Sequence, residues 1–141
     1  MSALPHLRVV VVDDEAPARS RLRELLADCA DVAEVEVTGE AANGHELLAR
    51  LQDTPADLVF LDIRMPGMDG LETARHLQRL QPPPRIVFAT AYDSHAIEAF
   101  DLHALDYLLK PIRAARLRDS LRRMTETLAP KREAFDAAAR G

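Results

Sequence analysis

Leu7-Arg8-Val9-Val10-Val11-Val12-Asp13-Asp14-Glu15 is the stretch that decides the fold. Its apolar part is short, continuous and β-branched. That is the pattern of a strand covered on both faces, as in parallel sheets flanked by helices. It stops on three consecutive carboxylates. Ala18, Leu22, Leu25 and Leu26 then recur at helical spacing, with Arg19, Arg21, Arg23 and Glu24 supplying a polar face. Pro17 suits a first helical turn. A buried strand running into an amphipathic helix is the repeating unit of α/β architecture.

The same alternation recurs down the chain. Val32 to Val37 reads as a strand and Gly44 to Gln52 as a helix with Leu47, Leu48 and Leu51 on one side. Leu58-Val59-Phe60-Leu61 is a second fully apolar strand, ending on Asp62. A turn with Pro66, Gly67 and Gly70 follows. The next helix runs from Leu71 to Leu80, and Pro82-Pro83-Pro84 stop it. Arg85 to Thr90 is a strand, and Ser94 to Phe100 a short helix with Ser94 as its cap. Ala104 to Leu109 is the last strand. Pro111 opens a helix to about residue 128 that offers Ile112, Leu117, Leu121 and Met124 to the core. Five strand–helix units predict a parallel sheet with right-handed crossovers, and ligands at the carboxyl ends of its strands. Residues 1–128 read as one domain. Residues 129–141 are polar and Ala-rich, offer no new strand, and read as a linker or helix extension.

With 141 residues the chain matches a single domain that buries a core without disulfides or a structural metal. Its net charge of −5 argues against a nucleic-acid-binding face and suits a carboxylate-rich site for a cation. The single cysteine, Cys29, reads as a small core residue late in a helix and fits a reducing compartment. No apolar run approaches the roughly 20 residues of a membrane span, and the amino terminus lacks a secretory pattern. The expected location is cytoplasmic, with no membrane partner. His6, His45, His76, His95 and His103 show no ligand spacing and read as surface or boundary residues.

The polar residues that end the apolar strands carry the chemistry. Asp13 and Asp14 end the first strand, Asp62 the third, Thr90 the fourth and Lys110 the fifth. In a parallel sheet these ends share one rim. Three carboxylates at close quarters repel one another unless a cation compensates. Lys110 supplies one charge, and a hard, oxygen-preferring ion such as Mg²⁺ suits the rest. Such a group fits phosphoryl transfer to a carboxylate, with a cation, a Lys and a hydroxyl stabilising the transferred group.

Four segments carry a resemblance: Val11-Val12-Asp13-Asp14-Glu15, Leu61 to Gly70, Ala89-Thr90-Ala91, and Asp106-Tyr107-Leu108-Leu109-Lys110-Pro111. In these the chain resembles response-regulator receiver (CheY-like) domains, from the first strand to the last helix. The resemblance implies a flavodoxin-like (βα)5 doubly wound parallel five-stranded sheet with strand order 2-1-3-4-5. It implies Asp62 as phosphoacceptor and Mg²⁺ held by Asp13, Asp14, Asp62 and the backbone carbonyl of Arg64. Thr90 would bond a phosphoryl oxygen and Lys110 would pair with the phosphoryl group. A cis Lys110–Pro111 peptide would aim the Lys inward. Tyr107 would be the switch aromatic, turning inward with Thr90. The side chains of Arg64 and Tyr92, each two residues beyond a site residue, would flank the site.

Thr90 to Phe100 and Ala104 to Pro111 further resemble receivers of the LytTR (AlgR/LytR) regulators, whose separate carboxyl-terminal domain binds DNA. The implied partners are a sensor histidine kinase and a second copy through the last two helices and fifth strand. DNA would be reached only through an output domain absent from this chain. Arg113, Arg116, Arg118, Arg122 and Arg123 then read as part of the dimer surface rather than as a nucleic-acid face. The alternatives are a stand-alone phosphoacceptor, an aspartyl-phosphate phosphatase and a flavin-binding module. Phosphatases of that kind use a second Asp two residues after the nucleophile, where this chain has Arg64. A flavin site would want a Ser/Thr/Gly-rich phosphate loop in place of Asp13-Asp14-Glu15. The expected chemistry is therefore self-phosphorylation and slow autodephosphorylation, without enzymatic turnover.

Overall fold

The computed structural model describes the backbone of residues 4–140 and the side chains of residues 4–127. Its elements are β1 (His6–Val12), α1 (Ala16–Ala27), β2 (Glu34–Ala41), α2 (Gly44–Asp53), β3 (Leu58–Leu61), α3 (Gly70–Leu77), β4 (Arg85–Thr90), α4 (Ala96–Asp101), β5 (Asp106–Leu109) and α5 (Ala114–Arg140). The five strands form one parallel sheet in the order β2-β1-β3-β4-β5. This is the flavodoxin-like order expected above.

Alternation along β1 explains its unbroken apolar run. Leu7, Val9 and Val11 face a core layer with Leu22, Leu25 and Leu26 of α1 and Leu117, Leu121 and Met124 of α5. Val10 and Val12 face the other layer, with Leu47 of α2 and Leu71, Ala74 and Leu77 of α3. Both faces are covered, so the strand has no polar side. Each fully buried aliphatic side chain contributes roughly 1.5–3 kcal/mol relative to exposure. Arg118 also ties α5 to the end of α1, donating to the Asp28 carbonyl at 2.9 Å and to Asp31 at 3.1 Å. Among the described residues no helix is long and apolar enough to cross a membrane.

Several boundaries depart from the sequence expectation. The second strand is Glu34–Ala41 rather than Val32 to Val37. Val32 belongs to the turn after α1, its N–H donating to the Cys29 carbonyl at 2.9 Å. A bulge lies at Thr38, because Val9 pairs with Val37 and Val10 with Gly39. The bulge breaks the alternation, while pairing with β1 carries the strand on to Ala41. Cys29 is fully buried as expected, but just past α1 rather than within it. Ser94 does not cap α4; His95 holds that position and makes no side-chain cap bond. β5 begins at Asp106, although Leu105 N already donates to the Ile86 carbonyl at 2.7 Å. α3 ends at Leu77, and its chain continues in tighter turns, with Arg79 N bonding His76 O and Leu80 N bonding Leu77 O, both at 3.1 Å. α5 starts at Ala114 rather than at Pro111, which lies in the bend before it.

Candidate functional site

The carboxyl ends of β1, β3, β4 and β5 meet on one rim. Asp62 extends β3 by one backbone bond, its N–H donating to the Val12 carbonyl at 3.0 Å. Its Oδ1 accepts from Ile63 N at 2.8 Å. Asp13 Oδ1 accepts from Glu15 N at 2.9 Å, and Arg19 donates to the Asp13 carbonyl at 2.6 Å. These bonds leave Oδ2 of each carboxylate turned toward Lys110. Lys110 N donates to the Thr90 carbonyl at 2.8 Å, and the Lys110–Pro111 peptide is cis.

Lys110 Nζ lies 2.6 Å from Asp13 Oδ2 and 3.4 Å from Asp62 Oδ2. Asp13 is thereby joined to a residue 97 positions away. One oxygen from each of Asp13, Asp14 and Asp62 lies within 4.8 Å of the others. Asp13 and Asp62 are buried and Asp14 is exposed. One ammonium against three carboxylates leaves negative charge in excess. The donors are all hard oxygens, partly open to solvent. That set fits a divalent cation of the Mg²⁺ type, which takes one or two carboxylates and keeps several waters.

Burial pushes the Asp62 carboxyl above its usual range, and the Asp13 charge adds to the effect. Lys110 and the Ile63 N–H pull the other way without cancelling it. Burial also lowers Lys110, but its bond to Asp13 and the charges of Asp62 and Asp13 outweigh that, so the ammonium is held above its ordinary value. Lys110 is therefore charged at neutral pH, beside a carboxylate whose own charge is poorly solvated.

Gly70 sets how closely α3 approaches this loop. A Cβ there would lie 2.1 Å from the Asp62 carbonyl oxygen and 2.8 Å from Ile63 Cα. Gly70 N donates to the Ile63 carbonyl at 2.7 Å. Asp69 caps α3 by accepting from Glu72 N at 2.8 Å. The sequence marked Gly70 only as a turn residue.

Thr90 is fully buried, and its Oγ1 accepts from Tyr92 N at 3.3 Å. Tyr107, expected as the switch aromatic, is partly buried. Its Oη donates to the Tyr92 carbonyl, and its ring lies 6.3 Å from that of Phe88. The side chains of Arg64 and Tyr92 meet each other: the Arg64 guanidinium carbon sits 4.1 Å above the Tyr92 ring centre. That contact was not expected. Two residues on different loops, three positions past the end of β3 and two past the end of β4, give no joint signal in the sequence.

Residues 9–122 match the family model described as "Response regulator receiver domain". The sensory transduction protein LytT of Bacillus cereus is 44% identical over 117 residues, 83% of this chain and 46% of that protein. The positive alginate biosynthesis regulatory protein of Pseudomonas aeruginosa is 41% identical over 117 residues, again 83% of this chain and 46% of the other. Among solved structures, the response regulatory domain of mrkE from Klebsiella pneumoniae superposes with a TM-score of 0.79 at 36% identity, covering 86% of this chain and 97% of that one. The chain spans about half the length of the curated relatives it matches. With this sheet order and this acidic rim, the chain belongs to the response-regulator receiver family, and its relatives include regulators of the LytT and alginate type.

Proposed function

We propose that Asp62 accepts a phosphoryl group from a phosphohistidine of a sensor kinase and that the α4-β5-α5 face reports it. The observation that carries this reading is Lys110 Nζ between Asp13 and Asp62, within a cluster of three carboxylates from two strands. Mg²⁺ would be held by Asp13, Asp14, Asp62 and the Arg64 carbonyl. When bound, it offsets the crowded negative charge and that of the phosphoryl oxygens.

A carboxylate oxygen of Asp62 attacks phosphorus. The new O–P bond forms as the P–N bond to the donor imidazole breaks, and the released histidine takes its proton from solvent. Lys110, already charged and 3.4 Å from Asp62, pairs with the incoming oxygens. Thr90 gives up its bond from Tyr92 N and donates its hydroxyl to a phosphoryl oxygen. Tyr107 releases the Tyr92 carbonyl and turns inward. The acyl phosphate is lost only by slow hydrolysis, since position 64 offers a guanidinium and no second carboxylate to drive turnover.

Ile97 and Phe100, about 79% and 81% exposed, stand three residues apart on α4, and Leu109 of β5 is half-exposed. These exposed apolar side chains support a homodimer through α4, β5 and α5 in the phosphorylated state. The likeness to LytT and to the alginate regulator supports transcription regulation through a DNA-binding output domain, in the cytoplasm. The test is incubation with Mg²⁺ and acetyl phosphate, read by intact mass. Wild type should gain one phosphoryl group and Asp62→Asn none. Equal gain by both removes Asp62 from the reaction.

A further inference from the structure

A second charged cluster lies between β5 and α5, away from the acidic rim. Its centre is Asp106, a carboxylate whose side chain is only 7% exposed. Oδ1 accepts from Tyr107 N at 2.8 Å and Arg116 Nη2 at 3.2 Å, and forms an ion pair with Arg123 Nη1 at 3.2 Å. Oδ2 accepts from Ser120 Oγ at 2.5 Å and Arg116 Nη1 at 3.2 Å. Arg116 Nη2 also reaches the Tyr107 carbonyl at 3.3 Å. One carboxylate thus gathers three side chains of α5 and the backbone N–H of Tyr107, while Arg116 holds the other side of that residue. A buried charge with donors on every side is stable only while all of them keep their places. Charge-assisted bonds of this kind are geometrically demanding.

The cluster continues a line that starts at the rim. Thr90 Oγ1 accepts from Tyr92 N, and the Tyr92 carbonyl accepts from Tyr107 Oη. The backbone of Tyr107 is then held by Asp106 and Arg116, and Asp106 is held by α5. We propose that Asp106 is the positioning residue that couples Tyr107 to α5, so that a change at Thr90 is passed to the helix through this carboxylate. The inference rests on the receiver reading above and adds the residue through which α5 is reached. Asp106 touches neither the acceptor nor its ligands, so removing it leaves the chemistry at Asp62 in place. The two guanidiniums it holds, on Arg116 and Arg123, are about half exposed. Loosening the clamp therefore changes the charged surface that α5 presents.

The test is a titration of the full chain with beryllofluoride and Mg²⁺, followed by amide NMR shifts at two places. Residues 89–91 report the site, and residues 116–123 report α5. In wild type both should move with one midpoint. In Asp106→Asn the site should move as before, while the α5 response falls by about fivefold or more, the lower end of ordinary coupling between sites. Asp106→Glu, which keeps the charge, should restore part of it. Ser120→Ala removes one donor and leaves the charge, and should cost less than Asp106→Asn. An α5 response of wild-type size in Asp106→Asn overturns the relay and leaves the receiver reading standing. No response at either place in wild type overturns both.

Discussion

The Asp62 carboxylate is held in one orientation by what its neighbours occupy. Ile63 N takes one carboxylate oxygen, and Lys110 stands 3.4 Å from the other. The residues that build this arrangement stood out in the sequence because each interrupts or ends an apolar run, and a polar group there needs a reason. Gly70 did not stand out. Its role is the close approach of α3 to the Asp62 carbonyl, a contact between two elements with no local pattern. A Cβ 2.1 Å from that backbone oxygen forces either the loop or α3 to move. Gly70→Ala should therefore destabilise the fold by about 1–3 kcal/mol, as overpacking does, measured by urea denaturation. It should also slow phosphoryl uptake from acetyl phosphate. A variant as stable and as reactive as wild type would show that the approach is not restrictive.

The elements differed in how plainly the chain announced them, for reasons visible in the sheet. β1 and β3 are central and covered on both faces, so their apolar runs are continuous. β2 is an edge strand with a bulge at Thr38, and its alternation breaks where pairing with β1 continues. Ser94 offered a capping hydroxyl, but α4 begins two residues later. The ion pairs joining elements, Asp106 with Arg116 and Arg123 and Asp57 with Arg8, were not read because partners on different elements share no periodicity.

These pairs have a consequence for stability. Burial pushes Asp106 up, but bonds from Arg116, Ser120 and Tyr107 N outweigh it and hold the carboxyl below its usual range. Asp57 is likewise pushed up by burial and pulled lower still by Arg8. A carboxyl whose folded pKa is depressed stabilises the fold above the unfolded value and loses that contribution as pH falls through the folded value. The part of the stability owed to these two groups should hold from neutral pH down to about the ordinary Asp value of 3.8 and be lost below it. Thermal unfolding between pH 6 and 2 checks this. Asp106→Asn should show a shallower acid limb than wild type, and an identical limb would contradict the assignment.

The whole molecule brings sequence-distant residues together because every strand runs the same way and ends on the same side. Asp13, Asp62, Thr90 and Lys110 need no loop of special design to meet; the parallel order β2-β1-β3-β4-β5 suffices. This is why fold and site could be read together from alternation and strand-end chemistry. The face that would carry the message onward was expected only through the resemblance, and the exposure of Ile97 and Phe100 and the Asp106 clamp were not legible in the sequence. All of it depends on the three rim carboxylates acting as a single divalent-ion site. A Mg²⁺ titration followed by amide NMR tests that directly. Residues at the ends of β1 and β3, Asp13, Asp14 and Ile63, should shift together along one saturating curve, and Asp14→Asn should weaken it. Independent or non-saturating shifts at the two strand ends, or a curve that Asp14→Asn leaves unchanged, would contradict the account.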